Sequence, residues 1–166
     1  MKKLFMIACM MLASTAMFAE KGATTLGAHA AYNIDEPNNI GVGVQAGYEF
    51  MDNIRAIAGF DYYLKKDNFS LWNVDLDVAY LFKFGKLAAY PLAGVNLCGA
   101  KYDVPEITVM GVTVGGGSSS DSKLGLTLGA GVEYQLSESL ALKAEYNYKT
   151  QWDGNSFLKL GVVIPF

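Results

Sequence analysis

From Leu26 to Phe166 the apolar side chains recur at every second position, a period that excludes a helical fold. The first run is Leu26, Ala28, Ala30 and Tyr32, and the second is Ile40, Val42, Val44, Ala46, Tyr48 and Phe50. The alternation continues over Ile54 to Leu64, Trp72 to Phe82, Leu87 to Leu97, Leu124 to Leu136, Leu140 to Tyr148 and Leu158 to Phe166. It predicts eight strands with one face free of charge throughout. The other face carries glycines such as Gly41, Gly43, Gly129 and Gly131, amides such as Gln45, Asn73 and Asn96, and the charges Glu49, Arg55, Asp61, Asp75, Asp77, Glu133, Lys143, Glu145 and Lys159.

Two closed arrangements of such strands exist, and they differ in which face is inside. A soluble eight-stranded barrel turns its apolar face inward and covers its outside with Lys and Glu. Here the polar face is rich in small residues, which suits a narrow lumen just wide enough for side chains to fill. An uncharged apolar face suits lipid, where Arg or Lys costs about 2–4 kcal/mol at mid-depth. The expectation is therefore an all-β, eight-stranded, antiparallel, up-and-down transmembrane barrel, apolar outside and polar inside. About eleven residues at ~3.3 Å, tilted ~45°, cover roughly 26 Å, close to the apolar band of an outer membrane. Closure follows from the solvent, because lipid leaves no backbone group at an open sheet edge satisfied.

Composition removes other classes. Only 17% of the 166 residues are charged while 52% are hydrophobic, which excludes a disordered chain. The net charge of −3 and the lack of a Lys/Arg cluster exclude a nucleic-acid surface. Met1-Lys2-Lys3 followed by the uncharged stretch Leu4–Ala19 reads as a cleavable secretory signal, cut after Ala19 or, alternatively, after Ala16. The expected organisation is a signal peptide over 1–19 and one barrel domain over 20–166. Once Cys9 leaves with the signal, Cys98 is the remaining cysteine, so no disulfide framework is expected.

Aromatic residues gather at strand ends on the apolar face. Tyr48, Phe50, Tyr80, Phe82, Tyr134 and Phe166 mark one rim, and Tyr32, Tyr62, Trp72, Tyr146 and Tyr148 the other. Two such rings are the girdles expected at two membrane interfaces. The connections at 51–53, 83–86 and 137–139 are tight, whereas those at 34–39, 65–68, about 99–122 and 149–156 are longer, as for periplasmic turns and outer loops. If Phe50 faces Ile54, Glu49 faces Arg55; if Leu136 faces Leu140, Glu133 faces Lys143. These opposite charges, with Glu145, are expected to form a lumen charge network plugging the periplasmic half.

The chain finishes Lys159-Leu-Gly161-Val-Val-Ile164-Pro-Phe166. A polar residue, a glycine, a hydrophobic residue and a terminal aromatic resemble the signal read by the barrel-assembly machinery, here Lys159, Gly161, Ile164 and Phe166. With Lys86-Leu-Ala-Ala-Tyr90-Pro91-Leu-Ala-Gly94-Val95, the chain resembles small outer-membrane barrels of the OmpA/OmpX type, the outer-membrane β-barrel and porin-family group. Pro91 departs from the group's pattern and removes a ladder donor inside a strand. The resemblance implies an outer-membrane location, lipid surroundings and the barrel-assembly machinery as a partner in biogenesis; with the sequence stopping at Phe166, no peptidoglycan-binding domain is expected after the barrel. The resemblance implies no substrate.

Candidate chemistry is sparse. His29 lies on the inward face with Ser70 and Asp61 as its plausible partners for nucleophilic work, but no spacing links them; a structural histidine is the plainer reading. Asp75 and Asp77 share a face, as a cation-holding pair or part of a hydrogen-bonded network. One histidine and one remaining cysteine give no transition-metal cluster, so no cofactor is expected. In the third outer loop, Ile107, Val109, Val112 and Val114 predict a short hairpin turned near Gly111, and the Gly/Ser tract after it reads as a flexible return. The leading expectation is a non-enzymatic structural or surface-interaction barrel with a closed polar lumen, contacting an extracellular partner through the loop about 99–122. The alternative is a narrow pore for ions or small solutes, and a lipid-modifying enzyme ranks below both.

Overall fold

The computed structural model describes residues 22–36, 38–66, 69–104, 107–109, 112–114 and 117–166. The segment expected to be a signal peptide, 1–19, lies outside the described residues. Eleven strands are described: β1 (Thr24–Asn33), β2 (Ile40–Met51), β3 (Ile54–Lys66), β4 (Phe69–Tyr80), β5 (Phe82–Phe84), β6 (Leu87–Val104), β7 (Ile107–Val109), β8 (Val112–Val114), β9 (Gly117–Ser137), β10 (Leu140–Lys149) and β11 (Asn155–Pro165). Around the sheet they run β4-β3-β2-β1-β11-β10-β9-β6-β5, and β4 also pairs with β6, so the sheet closes on itself. Strands β4 and β5 keep one register against β6, with Ala79 opposite Leu92 and Phe82 opposite Ala89. Counted as one, they make this a closed eight-stranded antiparallel barrel.

The break between β4 and β5 has a cause. By their shared register Tyr80 and Leu81 stand opposite Pro91 and Tyr90, and Pro91 has no N–H to give. The next N–H, that of Leu81, points to the other neighbour and donates to the Asn53 carbonyl at 2.7 Å, continuing the β3–β4 ladder. Pro91 itself is exposed on the outer face, paired with Ala130 of β9.

The alternation read from sequence decides the faces. Leu76, Val44, Leu126 and Leu160 stand exposed outside, while Glu49, Asp61, Asn73 and Thr127 are fully buried inside. The aromatics expected at both rims, among them Tyr32, Tyr48, Tyr80, Tyr134 and Tyr146, are exposed on the outer face. At one end of the barrel, here the turn end, Asn53 and Gly85 take positive φ (64° and 62°), which lets the tight reversals after β2 and β5 close.

Two details differ from the sequence reading. Glu49 faces Arg55 and Glu133 faces Lys143, yet Ile54 faces Met51 and Leu140 faces Ser137. A bulge lies at each turn, so the extra residues Phe50 and Leu136 are absorbed without moving the charged pairs. The larger difference is at the loop end. Half of the stretch about 99–122 is ladder, since β6 and β9 pair without interruption from Leu87–Tyr134 to Val104–Gly117. Of the Gly/Ser tract 115–121, read as a flexible return, residues 117–121 belong to β9, and 115 and 116 lie outside the described residues. Beyond them β7 and β8 pair Ile107 with Val114 and Val109 with Val112, the hairpin expected from their spacing; Gly111, its expected turn, lies outside the described residues.

Candidate functional site

The lumen is where the chain concentrates its chemistry, with charged and amide side chains buried inside it. Near the turn end Arg55 of β3 is the hub. One terminal nitrogen donates to both carboxylate oxygens of Glu133 on β9 (2.8 and 3.0 Å), and the other donates to Glu49 on β2 (3.0 Å). Lys83 of the β4–β5 strand reaches the second oxygen of Glu49 at 2.9 Å. The fork of a guanidinium suits this bridging, because its donors are fixed in a plane and a carboxylate accepts two of them.

One layer further in, Lys143 of β10 lies 2.7 Å from Glu145 and donates to the side-chain carbonyl of Gln45 across the lumen. Glu145 also accepts from the Tyr90 hydroxyl (2.9 Å) and the Asn147 amide (2.8 Å). The five residues expected to share a network thus fall into two groups. Glu49, Arg55 and Glu133 are joined directly, and Lys143 with Glu145 forms a second group although its Cα faces Glu133.

Toward the loop end lies a second charged cluster. Asp75 of β4 accepts from Lys149 of β10 (2.7 and 3.0 Å) and from Lys159 of β11 (3.0 Å). Lys159 also pairs with Asp61 of β3 at 2.8 Å, and the other oxygen of Asp61 takes the His29 ring nitrogen Nε2 at 2.6 Å. A carboxylate only accepts, so Nε2 carries the proton in this contact. Lys149, assigned to a loop from sequence, is 1% exposed, with its ammonium 4.9 Å from the centre of the Phe157 ring. Its position was legible all the same, as the next alternate residue after Lys143, Glu145 and Asn147. Asp77, two residues on along the same face, is buried with its Oδ1 lacking a hydrogen-bond partner.

Apolar side chains close the space around these clusters. Tyr63, Leu71, Cys98, Ala100, Ala31 and Phe157 pack toward the loop end, and Ile57, Ala79, Leu81, Ala88, Tyr90 and Leu92 toward the turn end. Above them the connection after β10 folds inward. Its Gln151 is 4% exposed and leans over Gly125, where a Cβ would stand 2.6 Å from the amide carbon.

The remaining candidates are placed as follows. His29 and Asp61 meet, but Ser70 shares its face of β4 with Trp72 and Val74, the face opposite Asn73 and Asp75. Cys98 is a free buried thiol within the apolar cluster. Among the described residues no group of three or more His, Cys, Asp or Glu is arranged to hold a metal ion. Of the terminal motif, Lys159 and Gly161 face the lumen side, Ile164 is exposed on the outer face opposite Leu26, and the Phe166 backbone exchanges hydrogen bonds with Thr24 (2.9 and 3.0 Å).

Known proteins agree with this architecture. The outer membrane protein beta-barrel domain family matches residues 5–165. The N-terminal β-barrel domain of Pseudomonas aeruginosa OprF superposes with a TM-score of 0.68 at 19% identity, covering 88% of this chain and 98% of that one. Neisserial surface protein A gives 0.65 at 21% identity over 87% and 96%. Ail, the attachment invasion locus protein of Yersinia pestis, gives 0.61 at 19% identity over 89% and 100%. No protein of curated function matches the chain.

Proposed function

The chain belongs to the outer membrane protein beta-barrel domain family, an outer-membrane setting, and on that premise we propose that it is a non-enzymatic surface-interaction barrel with a non-conducting lumen. The observation that carries this reading is the raised β6–β9 ladder. Strand β9 pairs with β10 only as far as Thr127–Lys149, whereas its pairing with β6 continues ten residues further, to Gly117. Ten residues at ~3.4 Å carry the hairpin roughly 34 Å along the strand direction beyond β10, while on its other side β4 accompanies β6 as far as Tyr102. Such a wall serves contact with a partner rather than passage of solute. In this reading the turn end is periplasmic, the raised end is outside, and the region about 99–122 meets the extracellular partner. Two relatives carry names that speak of the surface and of attachment, which is the same kind of role.

The buried clusters support a closed lumen. Glu49, Arg55 and Glu133, with Lys143 and Glu145 as a second group beside them, act as two layers of charge across the periplasmic half. The chain reaches the membrane through a signal peptide over 1–19, and the assembly machinery reads Lys159, Gly161, Ile164 and Phe166. The test joins two measurements on one protein. Planar bilayers holding the purified barrel should show no stepwise conductance. Intact cells expressing a variant lacking 103–118 should attach less to host-derived surfaces while keeping a band that shifts on boiling. Stepwise conductance with unchanged attachment would instead mark a narrow pore for ions or small solutes.

A further inference from the structure

Every neighbouring pair of strands around the barrel is linked by a turn or loop except β1 and β11, which come from opposite ends of the chain. Their seam runs from Thr25–Pro165 to Asn33–Phe157 and must form without a covalent tether. Closing a loop of that length costs chain entropy that a hairpin does not. Side chains of both seam strands reach the same group. From β1, His29 meets Asp61 Oδ1 at 2.6 Å; from β11, Lys159 meets Asp61 Oδ2 at 2.8 Å. Asp61 belongs to β3, beyond the intervening β2.

The route over β2 is specific. Gly43 faces His29 on one side and Asp61 on the other, so the two side chains meet above it. A Cβ there would collide with Asp61 Oδ1 and His29 Nε2. Lys159 also passes over a nearer acid. Its direct cross-strand neighbour is Glu145, which pairs with Lys143 and accepts from Tyr90 and Asn147. The Lys159 ammonium goes instead to Asp61 and Asp75, in the N-terminal half of the chain.

We propose that Asp61 is the clamp of the closure seam, holding β1 through His29 and β11 through Lys159 once the last strand has docked. This gives Lys159 a task in the finished barrel, separate from recognition by the assembly machinery. The two tasks separate in vesicles without that machinery. The full chain, refolded into phosphatidylcholine vesicles, is compared with Asp61→Asn, Lys159→Met and the double variant, which leaves the Asp75–Lys149 pair intact. The expected result is unfolding in urea at least tenfold faster for each single variant, with the double variant unfolding no faster than the worse single variant but still well above the parent rate. Amide exchange in Lys159→Met should rise more along β1–β11 than along β2–β3. Should a single variant fail to fold, the double variant decides alone: unfolding faster than the parent with exchange raised along β1–β11 supports the proposal, and a parent-like rate overturns it. Parent-like unfolding of Lys159→Met, simple additivity in the double variant, or exchange that rises evenly around the barrel would each overturn it.

Discussion

At the residue scale the lumen glycines act as saddles. Tyr90 of β6 and Glu145 of β10 both face Gly131 of β9, and the Tyr90 hydroxyl reaches Glu145 over it. A Cβ on Gly131 would stand 2.5 Å from the end of the Tyr90 ring. Gly43 does the same for His29 and Asp61. Gly131→Ala should therefore destabilise the barrel by about 1–3 kcal/mol, the usual cost of overpacking. The same change in a Tyr90→Leu background should cost much less, because the obstructing ring is gone; urea midpoints in vesicles close the double-mutant cycle. Equal costs in both backgrounds would mean the ring yields freely. The sequence showed that the inner face was small, because alternation sorts residue types by face. It did not show which glycine serves which pair, since that depends on register between strands distant in sequence. Lys83 and Lys149 were missed for a simpler reason. Each is one step beyond the end assigned to its strand, and the same alternation, carried on, places both inside.

At the element scale Pro91 decides where one strand becomes two. The ladder between β4 and β6 lapses opposite Tyr90–Pro91 and resumes as β5 in unchanged register. Pro91→Ala restores a donor facing the Tyr80 carbonyl. The expected outcome is a continuous ladder, with a protected amide at position 91 by hydrogen exchange. The net gain of one such bond is about 0.5–1.5 kcal/mol, partly offset by the looser unfolded chain. Rapid exchange at that amide would show that the break has another origin. Element identity was otherwise legible, because a period of two survives any error in the turns. Element length was not. The polar tract Gly117–Lys123 carries no apolar alternation, yet it is strand, held by its ladder with β6 rather than by lipid. Above the membrane both faces of a strand meet water, so the pattern that reveals a spanning strand disappears there.

At the scale of the whole molecule the lumen holds two charged clusters in series, with β3 supplying Arg55 to one and Asp61 to the other. The first joins Glu49, Arg55, Glu133 and Lys83 near the turn end, and the second joins His29, Asp61, Asp75, Lys149 and Lys159 toward the loop end. Between them stand Lys143, Glu145 and Gln45, and beyond the second lies Gln151. Barriers in series conduct only when each is breached, so emptying one should leave the barrel closed. Arg55→Ser with Glu133→Ala removes a pair together, which avoids the roughly 3–5 kcal/mol cost of stranding one buried charge. Asp75→Ala with Lys149→Ala does the same for a pair in the second cluster. Each double variant alone should stay silent in planar bilayers. The quadruple variant should give stepwise currents, provided unboiled gels show it still folded. Currents from the first pair alone would locate the whole barrier at the turn end and leave the second cluster to the seam. Silence from the folded quadruple variant would shift the barrier to Lys143, Glu145 and the Gln151 cap.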